Sequence, residues 1–335
     1  MAMPMPADPR NPIDLAHRIT DAAALGDLNR KMAIAAAFGD PKAIELILAI
    51  EGFHIHSPDD MLDLAAVNGR LDCAKLLLSP RVAVSPDGIS RALSSAAGEG
   101  HEDCVQLLMG HCGKQFLAES GALISAASNG RAECVRLLIG ASNPKANSSA
   151  ALVAAASNGH AECVRLLIPA SDPLADDSRS LSFAALKGHA ECVALLIPVS
   201  NPKALDSEAL GWSVAHPECV RLLAPVSDPS AHNFNALRCA AESGYLESVE
   251  ILLANAPAKA IEASIVVAAK KGHAGVVFYL LSREASCACD LAPALIAAQN
   301  AQHADIEAGL TAIIEMRALN ESLSPAAHAP LSMRL

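Results

Sequence analysis

The sequence predicts an all-α solenoid of short helix-turn-helix repeats with little or no β-structure. Three observations predict it: one block recurs along the chain, the composition favours helix, and each predicted helix is too short to be stable alone. The block runs Gly130-Arg-Ala-Glu-Cys134-Val-Arg-Leu-Leu-Ile139 and returns almost unchanged from Gly159 to Ile168 and from Gly188 to Ile197, its glycines 29 residues apart. It is recognisable again at Gly39, Gly69, Gly100, Gly244 and Gly272, while His216-Pro-Glu-Cys219-Val-Arg-Leu-Leu223 keeps it without the glycine and a worn copy begins near Gln302-His303. Self-similarity at a short fixed period marks a repeat array, here of about ten units.

Of the 335 residues, 52% are hydrophobic but only 3% aromatic, so the core must be built from many small and aliphatic side chains. A single core stops growing near roughly 250 to 300 residues, whereas a stack of repeats grows in one dimension. In chain order the reading is a partly disordered leader over residues 1–20, the solenoid over 21–316 and a partly disordered tail over 317–335. Met1 to Ile13 lacks the apolar stretch of a secretory signal, and no run of about 20 apolar residues occurs. A cytoplasmic protein that does not span a membrane is expected.

Within one unit, Ser148 and Ser149 are suitable N-caps for a first helix from Ala150 to Ser157, closed by Gly159 in the left-handed conformation. The second helix, from Ala161 to Ile168, carries apolar residues at Cys163, Val164, Leu166, Leu167 and Ile168, too wide a stripe for a helix with one wet face. It must therefore lie between neighbours. Glu162 suits the helix N-terminus and can pair with Arg165, and Pro169 ends the helix. Leu152, Ala155 and Ala156 form a small-residue face that lets first helices approach closely. Helices this short gain their order by stacking on the next unit.

These units resemble ankyrin repeats, whose pattern runs L-H-x-A-A-x-x-G-H-x-x-V-V-x-L-L-L. Leu152, Ala155, Ala156, Gly159, His160, Cys163, Val164, Leu166, Leu167 and Ile168 fall on it, and the match extends over roughly Ala22 to Ile314. The usual unit has about 33 residues, so the period found here is about four shorter, with the loss between Ile168 and Leu181. The T-P-L-H turn is replaced by Ala150-Ala151-Leu152-Val153. The projecting hairpin fingers are therefore expected to shrink to plain turns. Around Trp212 the unit is shorter still between Leu210 and His216, which predicts a clipped first helix.

Six cysteines, Cys73, Cys104, Cys134, Cys163, Cys192 and Cys219, hold one repeat position. Equivalent atoms in stacked units are on the order of 10 Å apart, too far for a disulfide or a shared zinc ion. They are read as small buried hydrophobes, with no disulfides, metal or cofactor expected. The recurring His101, His160, His189 and His273 are read as structural, because a catalytic group need not be copied many times. His54-Ile-His56 and Cys287-Ala-Cys289 lack partners at a recognised metal spacing and are read as loop or packing residues. No phosphate-binding, dinucleotide-binding, serine-nucleophile or zinc-protease motif occurs, so no catalytic residue is proposed.

A formal net charge of −11 argues against nucleic acid and anionic membranes as partners. The ankyrin resemblance implies a non-enzymatic module that binds another protein on its concave face, through turn tips and the residue pair before each glycine. That pair is Val67-Asn68, Gly98-Glu99, Ser128-Asn129, Ser157-Asn158, Leu186-Lys187, Glu242-Ser243 and Lys270-Lys271. The candidate binding residues are Asn68, Glu99, Asn129, Asn158, Lys187, Glu242, Lys270 and Lys271, together with Trp212. Trp212 and Phe183 share a register position; core filling is the favoured reading of both, and an aromatic anchor on the inner groove is the alternative. Competing functions are a bacterial effector secreted into a host cell and a structural repeat protein with no specific ligand.

Overall fold

A computed structural model describes residues 27–50, 53–119, 121–283 and 289–323, which are helical hairpins throughout, with no strand among them. The expected leader, residues 1–20, lies outside the described residues. The chain divides into two compact units, Met1–Asn201 and Pro202–Leu335. The first stacks the hairpins Asp27–Phe38/Pro41–Leu48, Pro58–Val67/Leu71–Leu77, Pro86–Glu99/Glu102–His111, Ala122–Ser128/Ala132–Leu138, Ala146–Ser157/Ala161–Leu167 and Ala175–Leu186/Ala190–Leu196. The second stacks Ala204–Trp212/Pro217–Leu223, Ala231–Ser243/Leu246–Leu252, Ala258–Lys271/Ala274–Leu281 and Ala292–Asn300/Ala304–Leu323. The tail boundary expected at residue 316 falls inside this last helix.

The second helices are short and packed between neighbours. Cys163, Val164 and Leu167 are buried, as are Cys134, Val135 and Leu138 before them and Cys192, Val193 and Leu196 after. Burying three apolar side chains per turn of chain contributes roughly 1.5 to 3 kcal/mol for each large one. Leu152, Ala155 and Ala156 are fully buried on the first helix. On the outside, Arg165 pairs with Glu162 of its own helix and reaches Glu191 of the next at 3.4 Å. Arg221 does the same between Glu218 and, at 2.9 Å, Glu247. Such exposed pairs contribute about 0 to 1 kcal/mol each.

One ladder joins the hairpins at the closing glycine. Gly159 adopts φ +78°, and a Cβ there would lie 2.5 Å from Nδ1 of His189 in the next hairpin. The His189 Nε2 meets the Ser157 carbonyl oxygen at 3.1 Å. A carbonyl only accepts, so Nε2 carries the proton. His101, His160 and His273 repeat the arrangement, meeting the carbonyls of Val67, Ser128 and Glu242 at 3.1, 3.0 and 3.0 Å. Arg70 and Arg131 stand in for histidine, each donating Nε–H over 3.1 Å to Ala37 and Gly98. The repeated histidine is thus a connector.

As expected, the hairpin fingers are reduced to turns, with no strand among the described residues, but the turns have an unusual backbone. In four of them three consecutive non-glycine residues are left-handed: Asn147-Ser148-Ser149, Asp176-Asp177-Ser178, Leu205-Asp206-Ser207 and His232-Asn233-Phe234. This conformation costs roughly 1 to 2 kcal/mol for an ordinary residue and less for Asn or Asp, which each turn contains. Hydrogen bonds offset the cost. Ser149, Ser178 and Ser207 hydroxyls each accept the backbone N–H of the next turn, from Asp172, Asn201 and Asp228, at 2.8 Å. Ser171, Ser200 and Ser227 in turn donate to the carbonyls of Pro144, Pro173 and Pro202 at 3.4, 3.5 and 3.3 Å.

The serine assignment therefore needs correction. The right-handed helix does begin at Ala150, but Ser149 makes no cap hydrogen bond to its own helix and is buried against the next repeat. The clipped unit behaves as expected: its first helix stops at Trp212 and Ser213–Ala215 form a single 3-10 turn.

Candidate protein-binding surface

The residue pair before each glycine sits at the C-terminal end of a first helix, where the last carbonyls need donors. Three asparagines supply them. Asn68 Nδ2 donates to the Leu64 carbonyl at 2.8 Å, Asn158 Nδ2 to Ala154 at 2.9 Å, and Asn129 Nδ2 to Gly98 of the preceding hairpin at 2.9 Å. Their amides are engaged in holding the scaffold, which the sequence did not reveal. Glu99 is exposed and lies 4.0 Å from Arg131.

The chemistry along the row changes further on. Lys187 is exposed at the end of its helix beside exposed Leu186. In the second unit Glu242 is half-buried and bridges Arg238 at 3.4 Å and Lys271 at 3.5 Å, while Lys270 is exposed. The row residues thus sit at the ends of first helices, and its exposed charges are Glu99, Lys187, Lys270 and Lys271.

Trp212 departs from the favoured reading. It does not fill the core: the indole is 37% exposed, because the clipped helix ends at it instead of running on under the next hairpin. It borders a cavity of about 350 Å³ in the second unit, between the first helices Ala204–Trp212 and Ala231–Ser243. Phe183, at the same register, is half-buried beneath the Arg179 guanidinium, 5.2 Å from its ring centroid. Sequence reading missed this cavity; the irregular spacing between Leu210 and His216 was its only signal.

Among the described residues no three His, Cys, Asp or Glu side chains converge on a point that could hold a metal ion. Burial first, and nearby glutamates second, push the thiols of Cys134, Cys163 and Cys219 up to about 11, so they are neutral thiols at neutral pH. Cys289 donates its thiol to the Ala258 carbonyl at 3.3 Å; Cys287 lies outside the described residues. His54 and His56 are exposed, and the His56 backbone N–H donates to Asn29 Oδ1 at 3.2 Å. One buried carboxylate stands out: Asp63, beside Arg91 at 3.5 Å, has an unpartnered Oδ1, and burial holds its carboxyl above the ordinary range. Among the described residues no helix is long and apolar enough to cross a membrane.

A family model described as ankyrin repeats in three copies matches the chain in four overlapping windows, residues 32–120, 93–177, 123–208 and 181–265. No curated protein matches the chain in sequence. Among solved structures, the crystal structure of the human ASB11 ankyrin repeat domain is similar at 20% identity, covering 63% of this chain and 96% of that one, with a TM-score of 0.44. The windows of the family model together span more than half of the chain, and with the glycine-closed hairpins they establish that it belongs to the ankyrin-repeat family.

Proposed function

We propose that the chain is a non-enzymatic scaffold that binds a protein partner on the concave side, formed by the first helices and the turns. The observation that carries this reading is the contrast between a near-identical framework and a row whose exposed chemistry varies from hairpin to hairpin. Lys187, Lys270 and Lys271 are exposed on that row, and Glu242 is half-buried beside Lys271. The asparagine-rich part, Asn68, Asn129 and Asn158, already has its amides engaged in the scaffold, so this reading rests on Leu186 and Lys187 in the first unit and, separately, on Glu242, Lys270 and Lys271 in the second. Glu99 belongs to the same row in the first unit, and Trp212, in register with Phe183, is a further candidate in the second. Protonated, buried thiols fit a reducing compartment, and the cytoplasm is the proposed location. Capture from lysate on the purified chain tests the reading. Alanine replacement of Lys187, Glu242 and Lys270 should abolish capture of a partner that the parent chain retains; unchanged capture by all three variants would refute this placement of the binding face.

A further inference from the structure

We infer that Asn129 and Asn158 are sites of spontaneous deamidation, a modification that places a new carboxylate at each of these helix ends. The inference does not depend on the protein-binding reading above. Asn68, Asn129 and Asn158 are each followed directly by the glycine that closes the hairpin. An Asn-Gly pair is open to this reaction because glycine has no side chain to obstruct approach to its own main-chain nitrogen. That nitrogen, giving up its proton, attacks Cγ of the asparagine. The new C–N bond forms, the Cγ–Nδ2 bond breaks, and ammonia leaves with the proton. Water then opens the cyclic imide at either carbonyl, to aspartate or to isoaspartate, whose main chain runs through the former side chain. Water is the only co-reactant, and nothing is oxidised or reduced.

The structure ranks the three sites. The asparagines share one backbone conformation, with φ −98° and ψ 5° at Asn68, −102° and 7° at Asn129, and −102° and 3° at Asn158. Ring closure needs ψ to turn away from this value so that the glycine nitrogen meets Cγ. The turn breaks the hydrogen bond that the glycine N–H makes. Gly69 donates to the Ala66 carbonyl at 3.1 Å, inside the ordinary range, whereas Gly130 and Gly159 donate to Ala127 and Ala156 at 3.4 and 3.3 Å, beyond it. Water must also reach the imide, and Asn129 and Asn158 are exposed where Asn68 is half-buried. Both observations put Asn68 last.

The products differ as well. Asn158 Nδ2 donates to the Ala154 carbonyl of its own helix at 2.9 Å. A carboxylate there exchanges a donor for another acceptor, at the helix end where the dipole disfavours negative charge. Asn129 Nδ2 donates instead to the Gly98 carbonyl of the preceding hairpin, an oxygen that Arg131 Nε also meets, at 3.1 Å. The new carboxylate at 129 therefore forms beside a guanidinium, and the Gly98 carbonyl keeps a donor. Deamidation loosens the hairpin at 158 and is accommodated at 129.

The test follows the full chain through a long incubation at neutral pH, folded and in urea. Tryptic peptides ending at Arg70, Arg131 and Arg165 separate the three sites for mass spectrometry, and isoaspartate methyltransferase labels the isoaspartate product. In the folded chain the mass gain of amide-to-acid conversion is expected at Asn129 and Asn158 roughly fivefold faster than at Asn68, the effect of about one hydrogen bond. In urea the three should convert alike. No gain at Asn129 and Asn158 while the urea sample converts, or an Asn68 that converts as fast as they do in the folded chain, would overturn the assignment. Among product mimics, Asn158→Asp should lower the melting temperature and Asn129→Asp should leave it unchanged. Equal shifts in the two variants would overturn the difference drawn between the sites.

Discussion

Two hairpins of this chain, Ala146–Ser157/Ala161–Leu167 and Ala204–Trp212/Pro217–Leu223, share a second helix and differ in the first. Both bury a Cys-Val-Leu triad, Cys163, Val164 and Leu167 in one, Cys219, Val220 and Leu223 in the other. The first of them closes on Gly159 and receives His189 over it. Its counterpart has Ala215 in a 3-10 turn, and the residue in the connector position of the following hairpin is Tyr245, 40% exposed. The second helix is therefore what both hairpins keep, and the glycine is needed where a histidine ring or an arginine side chain lies over it. Where the glycine is lost the next hairpin has neither histidine nor arginine in the connector position, whereas Gly39 and Gly100 are kept beneath Arg70 and Arg131.

Substitutions can break this comparison. The largest effect is expected where the hairpins agree: Leu167→Ala and Leu223→Ala, both fully buried, should each cost roughly 2 to 5 kcal/mol in urea unfolding. A much smaller loss at either site would mean that its second helix is not enclosed. Next comes Gly159→Ala, where left-handed strain adds to a Cβ 2.5 Å from the His189 ring. A loss of about 1 to 3 kcal/mol is expected, partly recovered in the double variant with His189→Ala. The opposite change in the clipped hairpin, Ala215→Gly, should cost only about 0.5 to 1 kcal/mol through chain entropy. Ser178→Ala and Ser207→Ala should cost about 1 to 3 kcal/mol each, since a backbone N–H loses its acceptor in either unit; thermal melts of the two should shift alike.

The smallest effect concerns the residue after the hairpin leucine, Val153 in the regular hairpin and Gly211 in the clipped one, where a third hairpin has Asp63. Burial raises the Asp63 carboxyl above its ordinary 3.8, so the native state binds the proton more tightly than the unfolded chain. Its contribution is full below 3.8 and is lost as pH rises through the raised value. Asp63→Asn should therefore melt higher than the parent at pH 7, with the gap closing as pH approaches 3.8. A gap independent of pH would assign the effect to packing.

The helices were legible in the sequence because their signals are local. Gly159 after an alanine face, and Cys163-Val164 ahead of Leu166-Leu167, mark both helices of a hairpin without reference to any other. Turn geometry was not. Three left-handed residues in a row defy single-residue preferences, and Ser149 looked like a cap because its true partner, the Asp172 N–H, belongs to the next repeat. The asparagines were misleading for a related reason: an exposed polar residue at a helix end serves the helix as readily as a ligand. The Trp212 cavity needs two hairpins to exist, and only the two missing residues before His216 hinted at it.

The connector histidine reaches a main-chain oxygen, which every amino acid possesses, and asks of the preceding hairpin nothing but a missing side chain at glycine. An imidazole protonated at Nε2 makes this bond, and arginine at positions 70 and 131 makes it too. Each module thus carries its own universal plug, indifferent to the identity of its neighbour's surface. A gene segment encoding one such module can be copied in tandem and fit at once, which accounts for near-identical copies running side by side from Gly130 to Ile197 while the surface they display is left free to diverge.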